Sequence, residues 1–135
     1  MGWRVDQGKL ETCGTHRQYI VTKITPNDAQ ESYYIIFVYG LHSVSCKKDL
    51  WQGLRIIDFD SPCLFIGDFN EIYKEDHRKN GSRVTTYEVD DMQKWMDDME
   101  LHPIPEHNHQ YSWTNKEEGQ NRTLTKIDHA IRNMK

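Results

Sequence analysis

Apolar residues change their spacing several times along the chain, and each change marks a different predicted element. Residues 19–24 and 33–39 are short runs rich in β-branched and aromatic side chains, and the turn-forming Pro26-Asn27-Asp28 between them predicts a hairpin. Leu50, Trp51, Leu54 and Ile57 recur near one and two helical turns, predicting a helix with one apolar stripe that Ser45 caps. Leu64-Phe65-Ile66 is shorter, ends at Gly67, and reads as a central strand buried on both faces. Thr85-Thr86-Tyr87-Glu88 has the capping-box spacing that opens a helix. Val89, Met92, Trp95, Met96 and Met99 then share one face, opposite Asp90, Asp91, Asp97 and Asp98. That stripe predicts core. Pro103 and Pro105 are expected to stop this helix, with two further strands at 110–114 and 123–131 and a turn at Lys79-Asn80-Gly81-Ser82. The order of strands, helix, strand, helix and strands predicts a mixed α/β fold, and 135 residues suit one domain core.

Composition narrows the class. Four Trp, seven Tyr and four Phe argue against disorder, although the chain is polar, with 28% charged residues. No run approaches the roughly 18–20 apolar residues that cross a bilayer, and the first ten residues are too polar for a signal peptide, so a soluble intracellular protein, cytoplasmic or nuclear, is expected. Asp6 stands where a myristoylation pattern wants Ser or Thr. Cys13, Cys46 and Cys63 are odd in number and widely spaced, which predicts reduced thiols rather than a disulfide framework or zinc ribbon. The glycosylation-like triplets at Asn80 and Asn121 carry no weight without a secretory signal. A net charge of −4 gives no basic footprint for nucleic acid, yet a bound divalent ion supplies local positive charge to enzymes that act on phosphates.

Asp68 and Asn70 stand just past the C-terminal end of the predicted central strand, where α/β folds expose reactive groups. A carboxylate there takes a proton from attacking water, and an amide donates to a phosphoryl oxygen as charge develops on it. The same spacing suits an Asx turn, in which the side chains bond their own backbone. Spacing alone leaves both readings open.

The longer string Leu64-Phe65-Ile66-Gly67-Asp68-Phe69-Asn70-Glu71-Ile72 resembles a signature of the endonuclease/exonuclease/phosphatase superfamily. Glu88-Val89-Asp90-Asp91-Met92, Tyr111-Ser112-Trp113-Thr114-Asn115 and Leu124-Thr125-Lys126-Ile127-Asp128-His129-Ala130 follow in order, and they resemble successive segments of the endonuclease domain of plant non-LTR (LINE-type) retrotransposons. Phe37-Val38-Tyr39-Gly40 and Asp49-Leu50-Trp51 resemble the segment before the signature. The resemblance implies part of a four-layer α/β sandwich with two packed mixed sheets, and magnesium-dependent hydrolysis of DNA by activated water. It implies that Asp68 orients or deprotonates the water and that Asn70 contacts the scissile phosphate. It also implies that Tyr39 approaches the phosphate, that Asp128 lies near the active site, and that Trp113 and Asn115 face DNA. Tyr39 and Trp113 also suit core aromatics, and Asp128 a surface carboxylate at a strand end.

The pattern is incomplete. The family's metal-binding glutamate and an earlier asparagine belong well before Tyr39, and its Ser-Asp-His motif belongs after Asp128. Neither is present in this sequence. Glu11 lies too close to Tyr39 to replace that glutamate and reads as solvent-exposed. His107, His109 and His129 read as surface residues, and two histidines without a third ligand make a poor metal site. The expectation is one partial domain over residues 1–135, its metal ligand supplied from outside, and inactive alone because catalytic parts act as a unit. The alternatives are a non-catalytic binding or scaffold remnant, and a chain left unstable by unpaired sheet edges.

Overall fold

A computed structural model of the chain describes residues 8–27, 31–57, 61–81, 83–105, 113–117 and 123–134, without the side chains of residues 75, 87, 88 and 113. The predicted hairpin forms between β2 (Tyr19–Pro26) and β3 (Tyr33–Tyr39), which pair antiparallel from Tyr19↔Val38 to Ile24↔Tyr33. Ahead of it lies a strand that the hydrophobic pattern does not reveal, β1 (Gly8–His16). Its residues are mostly polar and partly exposed, and backbone pairing to β2, with a register shift between Thr12 and Gly14, holds it in the sheet.

Helix α1 (Val44–Ile56) carries the chain over to β4 (Cys63–Asp68), which runs parallel to β3. Its cap is Ser43, whose Oγ accepts from the Cys46 amide at 3.2 Å, rather than Ser45, which already lies inside the first turn. Leu50, Trp51 and Leu54 are buried as the stripe predicts. A 3-10 turn (Glu75–His77), the two-residue strand β5 (Arg78–Lys79) and α2 (Thr86–Asp98) follow. The turn after β5 places Asn80 and Gly81 at positive φ, as its composition predicts. Helix α2 ends before either proline: Glu100 adopts φ 54° and the Leu101 amide reaches back to the Met96 carbonyl at 2.8 Å. That closure is a left-handed cap, so Pro103 and Pro105 do not stop the helix.

Beyond α2 come β6 (His102–Pro103), β7 (Trp113–Thr114), β8 (Leu124–Thr125) and β9 (Asp128–Arg132). The stretch expected as one strand over 123–131 is two, in different sheets. The larger sheet has the order β1-β2-β3-β4-β9-β6 and the smaller β5-β8-β7. The larger is mixed and the smaller antiparallel. The expected mixed α/β class holds.

Both helices lie on one face of the six-stranded sheet. There the cross-strand row Val21, Ile36, Phe65 and Ile131 is buried together with Leu50, Trp51 and Leu54 of α1 and Met92, Trp95 and Met96 of α2. Trp95 is the centre, edge-on to Phe65 at 5.1 Å and tilted against Trp51 at 5.2 Å. Strand β4 is central, with β3 and β9 on either side, but it is not buried on both faces: Phe65 is 1% exposed and its neighbour Ile66 36%.

Candidate active site

Three strand ends converge where β4 stops. Tyr39 is the register partner of Asp68, and Asp68 that of Asp128, so the three residues stand side by side on one sheet face. Two glycines allow the approach. Gly67 has φ +137°, and a Cβ on it would strike the Val38 carbonyl oxygen; a Cβ on Gly40 would strike the Phe69 carbonyl. The backbone seam is closed by Gly40 N to Asp68 O at 2.6 Å and by Phe69 N to Ile127 O at 3.0 Å.

Past this seam opens a cleft of about 440 Å³, lined by Tyr39, Asp68 and Asn70 together with His42, Lys47, Glu71, Arg78 and Asp91. Tyr39 is 67% exposed, which rules out a core aromatic. Asp68 is half-buried, and its Oδ1 accepts the Asn70 amide at 2.8 Å, so the Asx turn exists alongside the cleft geometry. Burial pushes the Asp68 carboxyl above its ordinary range; the Asn70 amide opposes this, the Asp128 charge adds to it, and His42 opposes it. The result is a carboxylate with more proton affinity than one in water. Asn70 sits at φ 53°, with Nδ2 donating to the Gly40 carbonyl at 3.3 Å and lying 2.9 Å from His42 Nδ1.

Several residues in and around this site were not identified from the sequence. Glu71 is 9% exposed and faces Lys47 Nζ at 3.4 Å; burial raises its carboxyl, Lys47 counters, and Asp91 adds to the rise. The signal available was a charged residue directly after a strand-end motif. His129 is buried rather than on the surface, and its Nε2 donates to the Glu71 carbonyl at 2.8 Å. It shares an aromatic cluster with Phe69, Tyr73 and His77, where alternation along β9 points it to the helix side. Gln18, 1% exposed, clamps the loop after β3: its Nε2 donates to the Cys46 carbonyl at 2.7 Å and its Oε1 accepts the Leu41 amide at 2.9 Å. Nothing in the local sequence marks Gln18, because both partners lie more than twenty residues away.

Asp128 is exposed at the first position of β9. Asn115 lies outside the cleft lining, and its Oδ1 accepts the Glu117 and Thr123 amides at 3.1 and 3.0 Å, closing the β7–β8 connection. The backbone of Trp113 belongs to β7, while His107 and His109 lie outside the described residues. Glu11 pairs with Lys9 at 2.6 Å on β1, outside the cleft lining. Among the described residues, no three His, Cys, Asp or Glu side chains come together to hold a metal ion. No helix in the described residues is long and apolar enough to cross a membrane.

No family model and no curated protein sequence matches the chain. Solved structures do. The endonuclease domain of TRAS1, a telomere-specific non-LTR retrotransposon, superposes with a TM-score of 0.65 at 13% identity over 94% of this chain. Beta toxin from Staphylococcus aureus superposes with a TM-score of 0.52 at 14% identity over 92% of it. The chain spans 56% of the length of the first and 47% of the second. These likenesses, together with the mixed sheet and the Asp68 strand end, establish that the chain has an endonuclease/exonuclease/phosphatase-like fold.

Proposed function

We propose that this chain is the middle part of a DNA endonuclease domain that hydrolyses phosphodiesters with an activated water, and that it is inactive or nearly so by itself. The observation that carries the reading is the register row Tyr39, Asp68 and Asp128 at the mouth of a cleft that also holds Asn70, Lys47 and Arg78. In it Asp68 is the base: its raised proton affinity favours taking a proton from water, while the Asn70 amide bonded to its Oδ1 fixes the carboxylate plane. Lys47 and Arg78 supply positive charge on the cleft wall, and Tyr39 and Asn70 stand where the phosphate enters. Burial is the main reason that the proton affinity of Asp68 is raised, and Asp128 beside it adds to the rise. Trp113, in β7, and Asn115, just after it, are assigned to DNA contacts away from the scissile phosphate.

In this reading the divalent ion takes its principal ligand from the flanking segments that the resemblance places on either side of this stretch. Nicking of supercoiled plasmid tests the assignment. Trace nicking with magnesium that disappears with chelator and in Asp68→Ala is expected. Nicking of equal rate in the wild type and Asp68→Ala would remove Asp68 from the mechanism. Duplex binding without any nicking, unchanged by Asp68→Ala, would favour the non-catalytic binding remnant.

A further inference from the structure

His129 is a titratable side chain in an aromatic corner of the core, 4% exposed. It is the register partner of Gly67 and follows Asp128 directly, so β9 turns Asp128 to the face of Tyr39 and Asp68, and His129 to the helix side. The chain leaving β4 wraps around its ring. Phe69, Tyr73 and His77 lie 5.8, 5.0 and 5.4 Å from it between ring centroids, and the Glu71 carbonyl meets Nε2 at 2.8 Å. A carbonyl only accepts, so Nε2 carries the proton and donates.

That bond ties down the turn between the strand end and the cleft. Asn70 holds φ 53°, a left-handed conformation disfavoured for a residue with a side chain, and its amide donates to Asp68 Oδ1 at 2.8 Å. Glu71, the next residue, is held on two sides: its carbonyl goes inward to His129, and its carboxylate faces Lys47 Nζ at 3.4 Å on the cleft wall. Glu71 is 9% exposed, so without His129 its carbonyl would be a buried acceptor lacking this donor, a cost that the turn relieves by unwinding. Unwinding at 70–71 would carry the Asn70 amide off Asp68 and the Glu71 carboxylate off Lys47 together.

We propose that His129 is the positioning residue of the site: by donating from Nε2 to the Glu71 carbonyl, it holds the turn that seats Asn70 against Asp68 and sends the Glu71 carboxylate to Lys47. The inference rests on the phosphodiesterase reading for what the site does, but not for the turn. His129 touches no substrate in this role.

NMR of the full chain reads the turn directly. An amide proton that donates to a carboxylate moves when the carboxylate ionises, so the Asn70 amide should follow the titration of Asp68 in the wild type. In His129→Leu, the loss of one buried hydrogen bond should lower the population of the set turn about ten-fold, and the Asn70 amide should cease to follow Asp68. His129→Gln, whose amide nitrogen can reach the Glu71 carbonyl, should restore the response, which a merely space-filling role would not require. Asp68-dependent nicking should fall and recover in the same order. One check needs no variant to fold: nitrogen NMR of the wild type should show His129 Nε2 protonated, and a bare Nε2 overturns the inference. An Asn70 amide that follows Asp68 equally in the wild type and His129→Leu also overturns it. An Asn70 response lost in His129→Leu and restored in His129→Gln, without Asp68-dependent nicking by the wild type, sinks the phosphodiesterase reading and leaves His129 as the holder of the turn.

Discussion

Two adjacent rows of the six-stranded sheet, one residue apart in register, meet opposite fates. Val21, Ile36, Phe65 and Ile131 lie under both helices and are 0–8% exposed. Ile20, Phe37, Ile66 and Ala130 are comparably apolar and face the other way, and there Ile20 is 44% and Ile66 36% exposed. The candidate site belongs to the second face, since Tyr39, Asp68 and Asp128 are two residues further along the same strands as Phe37, Ile66 and Ala130. Apolar composition is thus similar on the two sides. Among the described residues, the helix-covered row is the fully packed one, while the other face is closed only in places, as at Ile24, 2% exposed.

The sharpest way to break this contrast is at its centre. Trp95→Ala removes a fully buried ring that touches Phe65, Phe69 and Trp51, and it should cost about 3–5 kcal/mol in urea unfolding. Trp95→Phe should cost clearly less, because the indole N–H finds no hydrogen-bond partner among the described residues. A loss under 1 kcal/mol for Trp95→Ala would mean that the covered face is not the stabilising one.

The same burial sets a pH dependence. Burial holds His77 at about 4, with the nearby His129 and Lys126 adding to the depression. Its ordinary value of about 6.5 applies in the unfolded chain, so the unfolded state binds the proton more tightly. The contribution is therefore complete above about pH 6.5 and is lost as pH falls toward 4, at most ~3 kcal/mol. Glu71 has the opposite sign, since its raised carboxyl favours the fold as pH falls. Comparing the wild type with His77→Phe isolates the histidine: the variant should lose less stability between pH 7 and 4.5. Parallel pH profiles would show that His77 is not buried neutral.

How much of this was legible in the sequence follows the same division. The α2 stripe, the β2–β3 hairpin and the Asp68 strand end were readable because each is a local pattern with one period. Strand β1 was not, because Gly8–His16 has no alternation and is placed by the backbone of β2. The burial of His129 and Gln18 depends on partners 58 and 23–28 residues away, which no window reveals. Residues 123–131 contain a change of sheet at Lys126-Ile127, with no Gly or Pro to announce it. Alternation in β4 was too short to show that one face stays open.

A smaller effect sharpens the helix boundary. Glu100 holds φ 54°, a left-handed conformation in which a side chain is disfavoured, at the cap that ends α2. Glu100→Gly should therefore stabilise the fold by about 0.5–1 kcal/mol, a rise in melting temperature of a few degrees for a domain this size. A drop in melting temperature would place the stop of α2 elsewhere.

The smallest expected change comes from the open face and closes the comparison. Ile66→Thr keeps β-branching and strand propensity while removing apolar surface that is already more than a third exposed. Unfolding should shift by under ~1 kcal/mol, against the several expected when the neighbouring Phe65, 1% exposed, becomes Ala. Because Ile66 lies two residues before Asp68 on the same face, the variant also asks whether that surface matters to the site. Unchanged duplex binding with nearly unchanged stability would leave the open row as passive surface. A cost equal to that of Phe65→Ala would mean that this face is covered in solution and that the two rows are not different after all.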